Sequence, residues 1–170
     1  MTANKATIAL VVLAVLSVLL GAGVALSHHA PPAVAQSTSD VAPATLSSQY
    51  SMADIDNALA TGPVFVEFET TWCPHCKEQH PISAALADEY KGKVTFFFVN
   101  AEEDRALANQ FQANAYPQMD VIASKSGGGY TYVDNNGKAS NSIAASRFLG
   151  TTDRNTLKTA LDAAVQMRTT

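Results

Sequence analysis

Both cysteines of the chain lie in one short run, Trp72-Cys73-Pro74-His75-Cys76-Lys77, and the segments on either side of it leave few folds open. Before it stands the apolar stretch Pro63-Val64-Phe65-Val66-Glu67-Phe68-Glu69, whose β-branched and aromatic residues suit a buried strand. After it comes a segment able to form a helix to about Tyr90. That order puts Cys73 at the mouth of a helix and Cys76 one turn further in. A helix N-terminus carries about half a positive charge, which favours thiolate over thiol. The spacing also lets the second sulfur attack a mixed disulfide formed on the first. A C-x-x-C pair occurs in zinc sites too, so taken alone it leaves redox chemistry and metal binding open.

The chain has 170 residues, room for one globular domain. Between Ala6 and Leu26 there is no charged residue. At ~1.5 Å per residue such a helix matches a hydrocarbon core of roughly 30 Å. Lys5 precedes it, and the next Lys or Arg is Lys77, so the positive-inside rule keeps the N-terminus in the cytoplasm and exports the rest. We read residues 1–26 as a signal anchor giving a single-pass membrane protein whose lipid contact runs through residues 6–26. The alternative is a signal peptide cut after Ala33-Val34-Ala35, which would release a secreted domain. Residues 27–46, rich in Ser, Ala, Pro and Thr, form a flexible linker in which His28 and His29 read as solvated. The folded domain then occupies residues 47–170. A net charge of −4 without a concentrated Lys/Arg patch gives nucleic-acid binding no support.

Within the domain, Ser51-Met52-Ala53-Asp54 reads as a capping box opening a helix with Ile55, Ala58 and Leu59 inward, ended by Thr61-Gly62-Pro63. Val64–Phe68 is a strand and residues 73–90 a helix. A second strand follows over Val94–Val99, and then a helix whose acidic first turn is Glu102-Glu103-Asp104. Short connections between these make a parallel βαβ unit. Beyond Pro117, Met119–Ala123 reads as a strand, Ser124–Gly129 as a turn and Tyr130–Val133 as a strand. Asp134-Asn135-Asn136-Gly137 is a hairpin signal. A last helix covers about Asp153–Met167, with Leu157, Ala160, Leu161, Ala164 and Val165 inward.

Taken together, these residues resemble the thioredoxin family over about residues 50–168. The resemblance rests on Val64-Phe-Val-Glu-Phe before Trp72-Cys73, Pro81 inside the following helix, and Leu86–Thr95. It rests also on Asn100, Phe111, Tyr116-Pro117 at the distance from Cys73 of the family's cis-proline, and Phe148-Leu149-Gly150. It implies a thioredoxin-like α/β fold with a central mixed sheet flanked by helices. The chain departs from the common pattern at several places. Pro74-His75 replaces Gly-Pro and is the pair seen in the bacterial periplasmic disulfide oxidant. Glu67 replaces the usual buried Asp, as in protein disulfide isomerases. Phe98 stands where a Lys often partners that acid, Gln118 follows the proline, and the stretch from Pro117 to Gly137 is longer than in a minimal thioredoxin.

The resemblance implies a thiol–disulfide oxidoreductase acting on cysteine-containing proteins, with a membrane or soluble thiol redox partner, and the N-terminal segment makes it extracytoplasmic. No cofactor is needed beyond the Cys73–Cys76 pair, because electrons pass between sulfurs. Cys73 is expected as the exposed attacking thiol, Cys76 as the resolving thiol, and His75 as a group that tunes them. Glu67 is expected as a buried carboxylate that takes the Cys76 proton, and Glu69 as an exposed residue at the strand's end. Trp72, Pro74, Tyr116 and Pro117 are expected to bind substrate, a cis bond turning the Tyr116 backbone toward an extended peptide. Two other classes stand beside this one. Cys73, His75, Cys76 and His80 could serve a copper or zinc metallochaperone, and the groove at Tyr116-Pro117 could serve a non-catalytic peptide-binding module.

Overall fold

A computed structural model describes residues 50–169. The 1–26 anchor, the 27–46 linker and the candidate cleavage site lie outside the described residues, within which no helix is long and apolar enough to cross a membrane.

β1 (Val64–Glu69) organises the domain. It pairs in parallel with β2 (Thr95–Asn100) on one side and antiparallel with β3 (Gln118–Ser126) on the other. β4 (Gly129–Val133) and β5 (Ala139–Ser140) continue the sheet antiparallel, giving the order β2-β1-β3-β4-β5, with β6 (Phe148–Leu149) also on β3. All six β1 residues are buried. Successive side chains alternate between faces. Val64, Val66 and Phe68 enter a core with Ile55, Leu107 and Phe111, whereas Phe65 enters one with Leu86, Leu157 and Leu161. The first core packs under α1 (Met52–Thr61) and α3 (Arg105–Gln110), the second under α2 (Pro74–Glu89) and α5 (Arg154–Thr169). A short α4 (Ile143–Ser146) precedes β6.

The capping box at Ser51 is present, the Ser51 hydroxyl donating to Asp54 at 2.6 Å and its backbone N–H at 2.8 Å. α1 ends at Gly62, where a Cβ would stand 2.9 Å from the Lys93 carbonyl oxygen, so the backbone before β2 approaches too closely for a side chain. Pro81 sits inside α2, and lacking an N–H it leaves the Lys77 carbonyl without its helical donor.

Two expectations need correction. The run Glu102-Glu103-Asp104 is not the first turn of a helix. It forms a turn ahead of α3 with Asp104 at the cap, where its carboxylate accepts the Tyr50 N–H at 3.0 Å. Ser124–Gly129 is not all turn either. β3 continues to Ser126, and only Gly127-Gly128, both at positive φ, make the reversal. The extension is held because Lys125 Nζ and Tyr130 Oη each reach a carboxylate oxygen of Asp56 on α1 at 2.6 Å. The hairpin at Asp134–Gly137 is as expected, the Asp134 carboxylate accepting the N–H groups of Asn136 and Lys138 at 2.9 Å.

On the α1/α3 side of the sheet lies an acid outside the sequence expectations. Asp120 of β3 is 1% exposed, and one carboxylate oxygen accepts from Gln118 Nε2 at 2.9 Å. The other has no hydrogen-bond partner among the described residues. Burial pushes its pKa up to about 7, against the opposing pull of Gln118 and the charge of Arg147. Above an unfolded value near 3.8 the folded chain therefore binds more protons than the unfolded one, and stability falls as pH rises toward 7. The slope for one such group is at most about 1.4 kcal/mol per pH unit. Urea unfolding of the full chain between about pH 5 and pH 7 will show stability declining, and Asp120→Asn will flatten that decline.

Candidate active site

β1 and α2 meet at a tight turn, Thr70-Thr71-Trp72, that brings Cys73 to the N-cap of α2 with Pro74 as its first helical residue. A Pro there costs no hydrogen bond, since the first-turn amides have no helical partner. One of those amides, of Cys76, donates to Cys73 Sγ at 3.2 Å, and Cys73 Sγ lies 3.4 Å from the Tyr116 carbonyl oxygen. The Tyr116-Pro117 peptide is cis. Both cysteines are free thiols.

Cys73 is not the exposed thiol expected from the sequence. It is 4% exposed and Cys76 1%, because the Tyr116-Pro117 segment covers one side and Trp72 projects over the rim. Trp72 is 65% exposed. Its Nε1 donates to Glu102 at 3.0 Å and its ring meets Tyr116 edge-on, with centroids 6.5 Å apart. Glu102 also accepts from the Thr71 amide and hydroxyl at 3.2 and 2.9 Å, which hold its carboxyl below the usual range. Beside these residues an open cleft of about 430 Å³ is lined by Thr70, Trp72, Glu102, Arg105, Asn109 and Tyr116. His75 stands on the opposite rim, exposed, with Nδ1 3.2 Å from Glu78 and 3.5 Å from the Thr151 hydroxyl.

Beneath the pair, β1 directs Glu67 toward α2. The side chain is 0% exposed, and neither carboxylate oxygen has a hydrogen-bond partner among the described residues. Burial first, and then the charge of Glu69, hold its pKa well above the ordinary carboxylate value. Burial likewise pushes the Cys76 thiol up to about 12, with Cys73 adding to the shift. Glu69, expected to be exposed, is buried at 6% and lies 2.7 Å from His80 Nδ1. The His80 ring packs on Phe98, with centroids 4.8 Å apart.

Cys73, Pro74, Cys76, Trp72, Tyr116 and Pro117 thus gather around one sulfur, with Glu67 below and His75 set aside. Glu69, Glu102 and His80 complete the surroundings in ways not read from the sequence. The i, i+4 spacing of Cys76 and His80 was a signal, assigned there to a metal, whereas His80 pairs with Glu69. Among the described residues no group of three His, Cys, Asp or Glu side chains is arranged to hold a metal ion. Thiolate fraction sets alkylation rate. At pH 8 a pKa of about 12 instead of 9.0 lowers the Cys76 thiolate population about a thousandfold. Iodoacetamide will therefore leave Cys76 of the folded, reduced chain unmodified at pH 8, and urea will expose it, as peptide mass mapping will show.

The family model described as thioredoxin matches residues 46–147. The chain is 35% identical over 63 residues to chloroplastic thioredoxin M2 of Arabidopsis thaliana, a match covering 37% of this chain and 34% of that protein. It is 30% identical over 70 residues to thioredoxin of Staphylococcus aureus, covering 41% of this chain and 67% of that one. The chain spans about a third of the length of the plant relative and two thirds of the bacterial one. Among solved structures, that of Trichomonas vaginalis thioredoxin is similar in fold, with a TM-score of 0.53 and 21% identity over 71% of this chain and 96% of that one. With its family match lying over the same strand, helix and cis-proline that build the site, the chain belongs to the thioredoxin family.

Proposed function

We propose that this protein is a membrane-anchored, extracytoplasmic protein-disulfide oxidoreductase. The observation that carries the chemistry is the placement of Cys73 Sγ at the start of α2. There it accepts the Cys76 amide at 3.2 Å and faces the Tyr116 carbonyl at 3.4 Å. The amide and the carbonyl together fix the sulfur at the mouth of the helix, beside the segment that an incoming client must meet. In the reductive direction Cys73 attacks a client disulfide, forming a mixed disulfide and releasing one client thiolate. Cys76 then attacks Cys73 Sγ, the Cys73–Cys76 bond forms, and the second client sulfur leaves with its electron pair. Two electrons pass to the client and the pair is oxidised; run backward, the same steps oxidise a client dithiol. Glu67 takes up the Cys76 proton as it gives up the one it holds.

The Tyr116 backbone offers an extended client peptide a strand-like partner, and Trp72 with the adjoining cleft contacts its flanking side chains. Pro74 shapes the turn between the sulfurs, and His75 tunes their potential from the rim. The uncharged stretch Ala6–Leu26 behind Lys5 supports the extracytoplasmic placement.

In an insulin-reduction assay with dithiothreitol, Cys73→Ser of the full chain will lose activity by at least about 100-fold, since no mixed disulfide can form. Retained activity would overturn the reading. The potential of the pair, measured against glutathione, fixes direction: near about −270 mV the protein is a reductase, and near about −120 mV a strong oxidant.

A further inference from the structure

Glu67 poses a difficulty for any turnover through this site. It is wholly buried, its oxygens have no hydrogen-bond partner among the described residues, and a proton it takes from Cys76 has no direct route to water. Glu69 stands two residues along β1, on the same face and about 7 Å away at the backbone. Its carboxylate meets His80 Nδ1 at 2.7 Å. His80 lies one helical turn beyond Cys76 on α2, and its side chain is 27% exposed. Cys76, Glu67, Glu69 and His80 therefore line up from the buried thiol to the surface along the seam between β1 and α2.

We propose that Glu69 and His80 are the proton exit for Glu67, carrying the Cys76 proton to solvent each time the mixed disulfide is resolved. This deepens the oxidoreductase reading and rests on it. As Cys76 Sγ bonds to Cys73 Sγ and the client sulfur leaves as thiolate, the Cys76 proton moves to Glu67. The proton already held on Glu67 moves to Glu69, one moves from Glu69 to His80, and His80 releases one to water. One proton leaves per disulfide formed, and the carboxyls return to their starting states. The charge of Glu69 acts on both Glu67 and Cys76, as adjacency along this line requires. Glu69 from β1 and the uncharged Phe98 from β2 face His80, and Cys76 precedes it by one turn on the same helix. Both His80 and Glu69 act through Glu67 and touch no client.

The test is stopped-flow reaction of the reduced full chain with the aromatic disulfide DTNB, whose two thiolate releases report the two steps separately. The first follows attack by Cys73, the second resolution by Cys76. His80→Gln is expected to slow the second release about tenfold or more near pH 7 and leave the first unchanged. The deficit should close toward the alkaline range, where hydroxide takes the Cys76 proton, and added imidazole should restore the rate. Glu69→Gln breaks the same pair from the strand and decides the matter if His80→Gln does not fold by circular dichroism. If both variants match the native chain at every pH while Glu67→Gln is slow, the relay is overturned and the oxidoreductase reading stands. If Cys73→Ser keeps the first release, that reading itself fails.

Discussion

An acid without a hydrogen-bond partner cannot hold a charge cheaply inside a protein, and this domain places one at the centre of its sheet. Glu67 stands between Val66 and Phe68 on β1, its strand is paired on both sides, and α2 closes over it. Burying an ionised carboxylate unpaired costs several kcal/mol, so Glu67 holds its proton at rest. The thiol of Cys76, also held protonated by burial, has to give up its own proton when the mixed disulfide is resolved. The geometry of β1 and α2 thus sets two reluctant acids against each other, and the arrangement makes sense as a site that moves protons as well as electrons.

Much of this was legible in the sequence because it is written in local signals. The cap at Ser51, the apolar alternation of β1, Pro74 after Cys73 and the hairpin residues 134–137 each specify a short piece of backbone. Their order in the chain specifies the βαβ unit. Glu67 could be singled out because it stands where the family it resembles carries a buried acid.

What was not legible depends on contacts distant in sequence. Glu69 looked like a strand end facing water, and only the packing of α2 across β1 brings His80 to it. Cys73 looked exposed because nothing near it in sequence covers it; Tyr116, far along the chain, does. Glu102 read as a helix-start acid by composition, yet it is used to fix the Thr71-Trp72 turn. Asp120 gave no signal, since a strand acid followed by Val and Ile suits a solvated face equally well. The extension of β3 to Ser126 was hidden because Ser, Lys and Gly read as turn residues until Asp56 of α1 is seen to hold them.

Trp72 is the single tryptophan of the chain, and it stands on the rim of the thiol site with its indole nitrogen bonded to Glu102. The protein therefore carries its own optical probe where the chemistry happens. Indole emission responds to nearby sulfur, to charge and to the removal of water. Changes in the redox state of the pair, in the protonation of the Glu102 carboxyl or in the arrival of a client all fall within its reach, and no second indole in the chain dilutes the signal.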